Sequence, residues 1–172
     1  MMKKSLLLIV LLSFFGGWLH VDAQDKGTLV KVGDMAPEFE VKMFDGKMVK
    51  IKELKGKVVL INFWATWCGP CRQELTRVQK EIVDRFDGKD FVFLAISRED
   101  TYEQVKQFRE QNGYAFPMGL DANREVFSKF ATASIPRNFI VGKEGKILYS
   151  SIGYSTESFA ELIQKLETFL EK

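Results

Sequence analysis

Cys68 and Cys71 are the only cysteines in a chain of 172 residues, and the segment Trp67-Cys68-Gly69-Pro70-Cys71 holds them one helical turn apart. Two thiols at that spacing can close on each other and can pass the disulfide to and from a third sulfur. Stability is a poor reason for such a bond. On chain entropy a four-residue ring contributes about 2 kcal/mol, against roughly 3 for a loop of fifteen residues. The spacing therefore points to thiol-disulfide exchange, in which a thiolate attacks a disulfide and a second thiol resolves the mixed intermediate.

Such chemistry needs the two sulfurs in unequal surroundings, and the flanking sequence supplies them. Val58 to Trp64 is an apolar, β-branched run with the length of a strand buried on both faces. After the cysteines the period changes: Leu75, Val78, Ile82 and Phe86 recur at helical spacing, Pro70 suits a first turn, and Gly88 lies beyond the end. A helix over Pro70 to Phe86 puts Cys68 at its N-terminus. There, unpaired N–H groups and the positive end of the dipole favour an anion, so the thiolate forms below the reference pKa of about 8.5. Cys68 is the expected nucleophile. Cys71, one turn inside the helix, is the expected resolving thiol.

The N-terminus has a different character. Lys3 and Lys4 precede an apolar stretch from Leu6 to Phe15, and Val21-Asp22-Ala23 offers small residues at a cleavage site. This pattern predicts an exported chain with a signal peptide over 1–23, cut after Ala23, and one domain over 24–172. The other reading is a retained anchor, although the apolar reach of about 15 residues is short of the roughly 20 that span a bilayer. No cysteine near residue 20 could carry a lipid. Removing Lys3, Lys4 and Asp22 takes the formal net charge from +2 to +1, which leaves no field for nucleic acid or anionic lipid. It also removes His20, the one histidine.

Further along, Phe39 to Met43 and Lys47 to Ile51 flank Asp45-Gly46, a hairpin signal. Residues 24–31 are polar and expected to be loose. Phe91 to Ile96 is a second buried strand, to be paired parallel with the first. Tyr102, Val105 and Phe108 line a helix ending near Gly113; a strand over Phe116 to Leu120 and a helix over Arg124 to Phe130 follow. Asn138 to Val141 and Lys146 to Tyr149 form a second hairpin, and Phe159, Leu162, Ile163 and Leu166 mark a closing helix started near Ser155 or Thr156. The expected fold is α/β, a mixed central sheet with helices on both faces.

Phe63-Trp64-Ala65-Thr66-Trp67-Cys68-Gly69-Pro70-Cys71 resembles the active-site segment of the thioredoxin superfamily, and Ile135-Pro136, about 65 residues downstream, resembles its cis-proline loop. The opening Val32-Gly33-Asp34-Met35-Ala36-Pro37-Glu38-Phe39 and an extra βα-type insertion are similar to the exported TlpA/ResA-type branch. The resemblance implies a thioredoxin fold and a cis bond before Pro136, with the backbone of Ile135 beside Cys68 to pair with a substrate strand. Trp67, Gly69 and Pro70 would complete the surface that receives the partner, while Trp64 belongs to the core. Asn62 stands where ordinary thioredoxins carry a buried aspartate. The branch instead uses a glutamate three residues after the second cysteine, here Glu74, as proton acceptor. Its usual proline two residues later is Thr76, which bears on how the helix bends and where Glu74 points. Arg137 departs from the small polar residue often found after the proline and is read as solvated.

The reading is a protein disulfide reductase with no cofactor and no metal, acting outside the cytoplasm as a monomer on protein dithiol or disulfide substrates. Gly69-Pro70 offers no cation to stabilise a thiolate, which favours the reducing direction and implies an upstream membrane electron donor. Alternatives are a Cu(I)-binding or redox-inert thioredoxin-like module and a peroxiredoxin-like peroxidase. The peroxidase requires a proline and a threonine at positions occupied by Ile61 and Ala65. Tetrahedral zinc needs four ligands where this chain offers two thiols.

Overall fold

The computed structural model describes residues 27–171. The expected targeting segment and its cleavage site fall outside them. The elements run β1 (Glu40–Met43), β2 (Met48–Lys50), β3 (Val58–Trp64), α1 (Gly69–Val78), β4 (Phe91–Arg98), α2 (Tyr102–Asn112), β5 (Met118–Asp121), α3 (Phe127–Phe130), β6 (Arg137–Val141), β7 (Ile147–Ile152) and α4 (Thr156–Leu170). The seven strands make one sheet in the order β2-β1-β5-β4-β3-β6-β7. β4 pairs parallel with β3 and β5, and every other pairing is antiparallel.

β3 is an inner strand, between β4 and β6, and all seven of its residues are buried. Alternation divides them between two cores. Leu60 and Trp64 pack with Leu75, Val78 and Ile82 behind α1, and with Val105, Phe108, Phe159 and Leu162 from α2 and α4. Val59, Ile61 and Phe63 pack on the other face with Phe127, Phe130 and Phe139. Each fully buried side chain of this kind contributes about 1.5–3 kcal/mol. Asn62 shares the α1 face with Leu60 and Trp64, so a polar group enters an otherwise hydrocarbon layer.

Four expectations are corrected. The helix after the motif is not continuous: α1 gives way to a π-helical turn over Gln79–Val83. β5 starts at Met118 rather than Phe116, because Pro117 has no N–H to offer a ladder. α3 is shorter than Arg124 to Phe130, since the Asp121 carboxylate accepts the N–H groups of Val126 and Phe127 and so fixes the start of the helix there. The segment read as loose is held from Gly27 to Val30: Thr28 bridges to Ala131, Leu29 N–H donates to Phe130 O at 2.9 Å, and Thr132 N–H donates to Gly27 O at 2.8 Å.

Candidate active site

The end of β3 delivers the motif through a three-residue loop, Ala65 to Trp67, that leads into the N-cap of α1. Cys68 adopts extended dihedrals (φ −87°, ψ 108°) as N-cap of α1, and its sulfur accepts the Cys71 N–H at 3.2 Å. Cys68 and Cys71 form a disulfide with their Cα atoms 5.3 Å apart. In this oxidised state both residues are shielded, at 6% and 0% exposure. The difference between the sulfurs is one of position, because Trp67, Gly69 and Pro70 form an exposed crest around the first and the helix covers the second.

The loop carrying Thr66 and Trp67 is clamped from the end of β4. Asp100, wholly buried, accepts Thr66 N–H at 2.8 Å, Thr66 Oγ1–H at 2.7 Å and the Ser97 hydroxyl. Next to it the buried Arg98 places its guanidinium 5.6 Å from the ring centre of Trp67 and 4.6 Å from that of Phe127. The sequence reading missed Asp100. It sits in the polar run Ser97 to Thr101 leaving a buried strand, and only the tertiary contact with Thr66 distinguishes it from its neighbours.

Across from the disulfide, the Ile135-Pro136 peptide bond is cis. Ile135 O lies 3.7 Å from Cys68 Sγ, a contact without a hydrogen bond because a disulfide sulfur carries no proton. Arg137, expected in solvent, is only 1% exposed. Its Nε–H is shared between the carbonyls of Ala133 (2.7 Å) and Ser134 (3.0 Å), and a terminal nitrogen donates to Thr28 Oγ1 at 2.6 Å. A loop full of inward-facing carbonyls supplies enough acceptors to bury a guanidinium.

Beneath the cysteines lies a polar cluster inside the core. Glu74, 2% exposed, accepts Asn62 Nδ2–H at 3.0 Å and Asn138 Nδ2–H at 2.7 Å. The other Asn62 amide hydrogen goes to Asn138 Oδ1 at 2.9 Å, so both hydrogens of that amide are committed and its own oxygen is buried without a donor among the described residues. Asn62 and Asn138 face each other across the β3–β6 ladder, which brings both amides under one helix face. Burial pushes the Glu74 carboxyl up to about 7, while the two amides pull it back. With Thr76 where the resemblance implies a proline, Glu74 is nonetheless buried, and the π turn lies beyond it at Gln79–Val83. Asn138 was not foreseen. A polar amide ahead of the apolar run Phe139 to Val141 was its signal, legible only once β6 is paired with β3.

A family model described as the AhpC/TSA family matches residues 32–150. Thiol-disulfide oxidoreductase ResA of Bacillus thuringiensis (strain Al Hakam) is 30% identical over 169 residues, covering 98% of this chain and 94% of its own. Thioredoxin-like protein YneN of Bacillus subtilis (strain 168) is 33% identical, covering 97% and 99% respectively. The solution structure of a candidate protein disulfide isomerase from Bacteroides thetaiotaomicron matches with a TM-score of 0.80 and 38% identity, over 85% of this chain and 94% of that one.

Proposed function

The chain belongs to the AhpC/TSA family, has a thioredoxin fold and is a thiol-disulfide oxidoreductase; from that premise we propose that it reduces protein disulfides outside the cytoplasm, with Cys68 attacking, Cys71 resolving and Glu74 taking the proton. In the first step the Cys68 thiolate attacks one sulfur of a partner disulfide. That bond breaks, a mixed disulfide forms, and the first partner thiolate leaves and takes up a proton. Cys71 then gives its proton to Glu74 and attacks Cys68 Sγ. The mixed disulfide breaks, the second partner thiolate departs, and two electrons have passed to the partner.

The observation that carries this reading is the unequal placement of the two sulfurs. Cys68 caps α1 beside the Ile135 carbonyl and an exposed crest, whereas Cys71 is covered one turn inside. A covered thiol ionises reluctantly and needs a base. Glu74, three residues on along the same helix, is a carboxyl held near neutral pH, as an acceptor at that position requires. Ile135 and the crest of Trp67, Gly69 and Pro70 would receive an extended segment of the partner.

The reducing direction is supported by the absence of a cation between the cysteines. The gap from thioredoxin to a strong periplasmic oxidant is about 150 mV, about 7 kcal/mol for two electrons, and Gly69-Pro70 adds nothing toward the oxidising end. Action outside the cytoplasm rests on the basic and apolar residues before Ala23. No helix among the described residues is long and apolar enough to cross a membrane. The oxidised form would then be recharged by a dithiol donor in the membrane.

Equilibration of the Cys68/Cys71 pair with glutathione tests the direction. The expected potential is near that of thioredoxin, and a value above about −150 mV would overturn the reductant assignment. Cys71→Ser should trap mixed disulfides through Cys68, and the captured partners identify the substrates. A fusion of residues 1–30 to a reporter active only outside the cytoplasm tests export.

A further inference from the structure

The loop before Pro136 is held through its carbonyl groups. Thr132 O accepts from Arg124 at 2.7 Å, and Ala133 O and Ser134 O both accept from Arg137. Beyond the proline, Pro136 O accepts Gly153 N–H at 2.8 Å. Of the five carbonyls from Thr132 to Pro136, only that of Ile135 has no donor among the described residues, and it is the one beside Cys68. Ser134 stands at φ +64°, a conformation unfavourable for a residue with a Cβ unless its surroundings impose it. The Arg137 guanidinium binds on either side of that kink, and on its far side holds Thr28, whose segment pairs with Ala131.

We propose that Arg137 and Arg124 are positioning residues for polypeptide recognition: by occupying the neighbouring carbonyls they preset the loop so that the Ile135 backbone alone is presented to an extended substrate strand. The inference rests on the proposed use of Ile135 in substrate binding. An extended partner gains main-chain hydrogen bonds only where groups are both free and fixed. A loop with unbound carbonyls at Thr132 to Ser134 would sample other conformations, and ordering it would be charged against binding. The chemistry at sulfur needs no such edge. The arginines therefore act on how tightly a polypeptide is held, and leave the reaction of Cys68 with a small disulfide alone.

The test compares two oxidants of the reduced protein, a peptide with one disulfide in an extended segment and a small aromatic disulfide. Arg137→Lys keeps the charge but loses the arrangement in which Nε–H is shared by two carbonyls while a second nitrogen reaches Thr28. Arg124→Met removes a partly exposed side chain outside the core and serves if Arg137→Lys folds poorly. Each is expected to raise KM for the peptide about five- to tenfold, the equivalent of about one hydrogen-bonded contact, with kcat little changed. The rate with the small disulfide should stay within twofold of the parent. Equal losses with both oxidants, or an unchanged peptide KM in folded variants, would overturn the proposal. If the parent itself reduces the small disulfide but never the peptide, the failure lies with the proposed function instead.

Discussion

Two carboxylates are buried near the motif to almost the same degree, Glu74 at 2% and Asp100 at 1% exposure, and they are built differently. Asp100 meets a main-chain N–H and two hydroxyls belonging to the strand end and loop that it joins. Glu74 meets two side-chain amides on neighbouring strands and no charged group shifts it. The donors around Asp100 hold a loop in place, so removing the carboxylate leaves the backbone itself unsatisfied. Those around Glu74 stabilise its anion only in part, and the group stays able to gain and lose a proton near neutral pH. Burial alone does not decide what an acid can do; the donors around Asp100 make it a clamp, and those around Glu74 suit the proton-acceptor role proposed for it.

The largest effect that would test this contrast is kinetic. Glu74→Gln should keep the first attack by Cys68 and slow release of the partner by about a hundredfold or more, the usual weight of a positioned base. Mixed disulfide should then accumulate in acid-quenched samples. Unchanged turnover between pH 6 and 8 would reduce Glu74 to a buried spacer. Asp100→Ala should instead act on stability, by about 4 kcal/mol, because three donors are orphaned at about 1–3 kcal/mol each with some relief from water. Denaturant unfolding at pH 7 reads this directly, and equal losses in Asp100→Ala and Glu74→Gln would erase the distinction.

The third effect concerns pH. The Glu74 carboxyl is raised in the fold from its ordinary value of 4.5 to about 7. Below about pH 4.5 both folded and unfolded chains hold the proton. Between that and about 7 the unfolded chain loses it first, so stability falls as pH rises, by about 3 kcal/mol in total. The fall attributable to this residue should be missing from Glu74→Gln when the two unfolding curves are subtracted across that range. The smallest effect belongs to Asn62→Ala. Losing one donor to the Glu74 anion should move the pH midpoint of partner release upward by up to about one unit, and a downward move would show that Asn62 does not stabilise the anion.

Much of this architecture is written locally. The buried run of β3, the change to helical period after Cys71 and the Asp45-Gly46 turn each specify their element with little help from elsewhere. Likewise the cysteine pair could be picked out from residue type and spacing, and the Ile135-Pro136 dipeptide from its resemblance to the cis-proline loop of the thioredoxin superfamily. What stayed hidden depends on partners far apart in the chain. Arg137 looked like a surface cation because nothing in its neighbourhood announces two loop carbonyls and the hydroxyl of Thr28. Asn138 acquires meaning only opposite Asn62, 76 residues away in sequence, and Asp100 only against Thr66. The π turn is invisible to periodicity, since Val78, Ile82 and Phe86 fit an unbroken helix as well.

An open sheet ends in two strands whose outward amides and carbonyls can template a strand from another molecule. In this molecule one outer strand, β2, is three residues long and lies between Lys47 and the terminal Lys50. At the other edge the entry to β7 is taken: Ile147 N–H donates to Asp34 O and Ile147 O accepts Gly33 N–H, both at 2.8 Å. Residues 33–34 follow directly from the segment that Arg137 ties to the proline loop. One stretch of chain thus braces the cis-proline loop and blocks part of an edge where aggregation could begin, so a lesion that loosens it would act on self-association as well as on the recognition proposed for that loop.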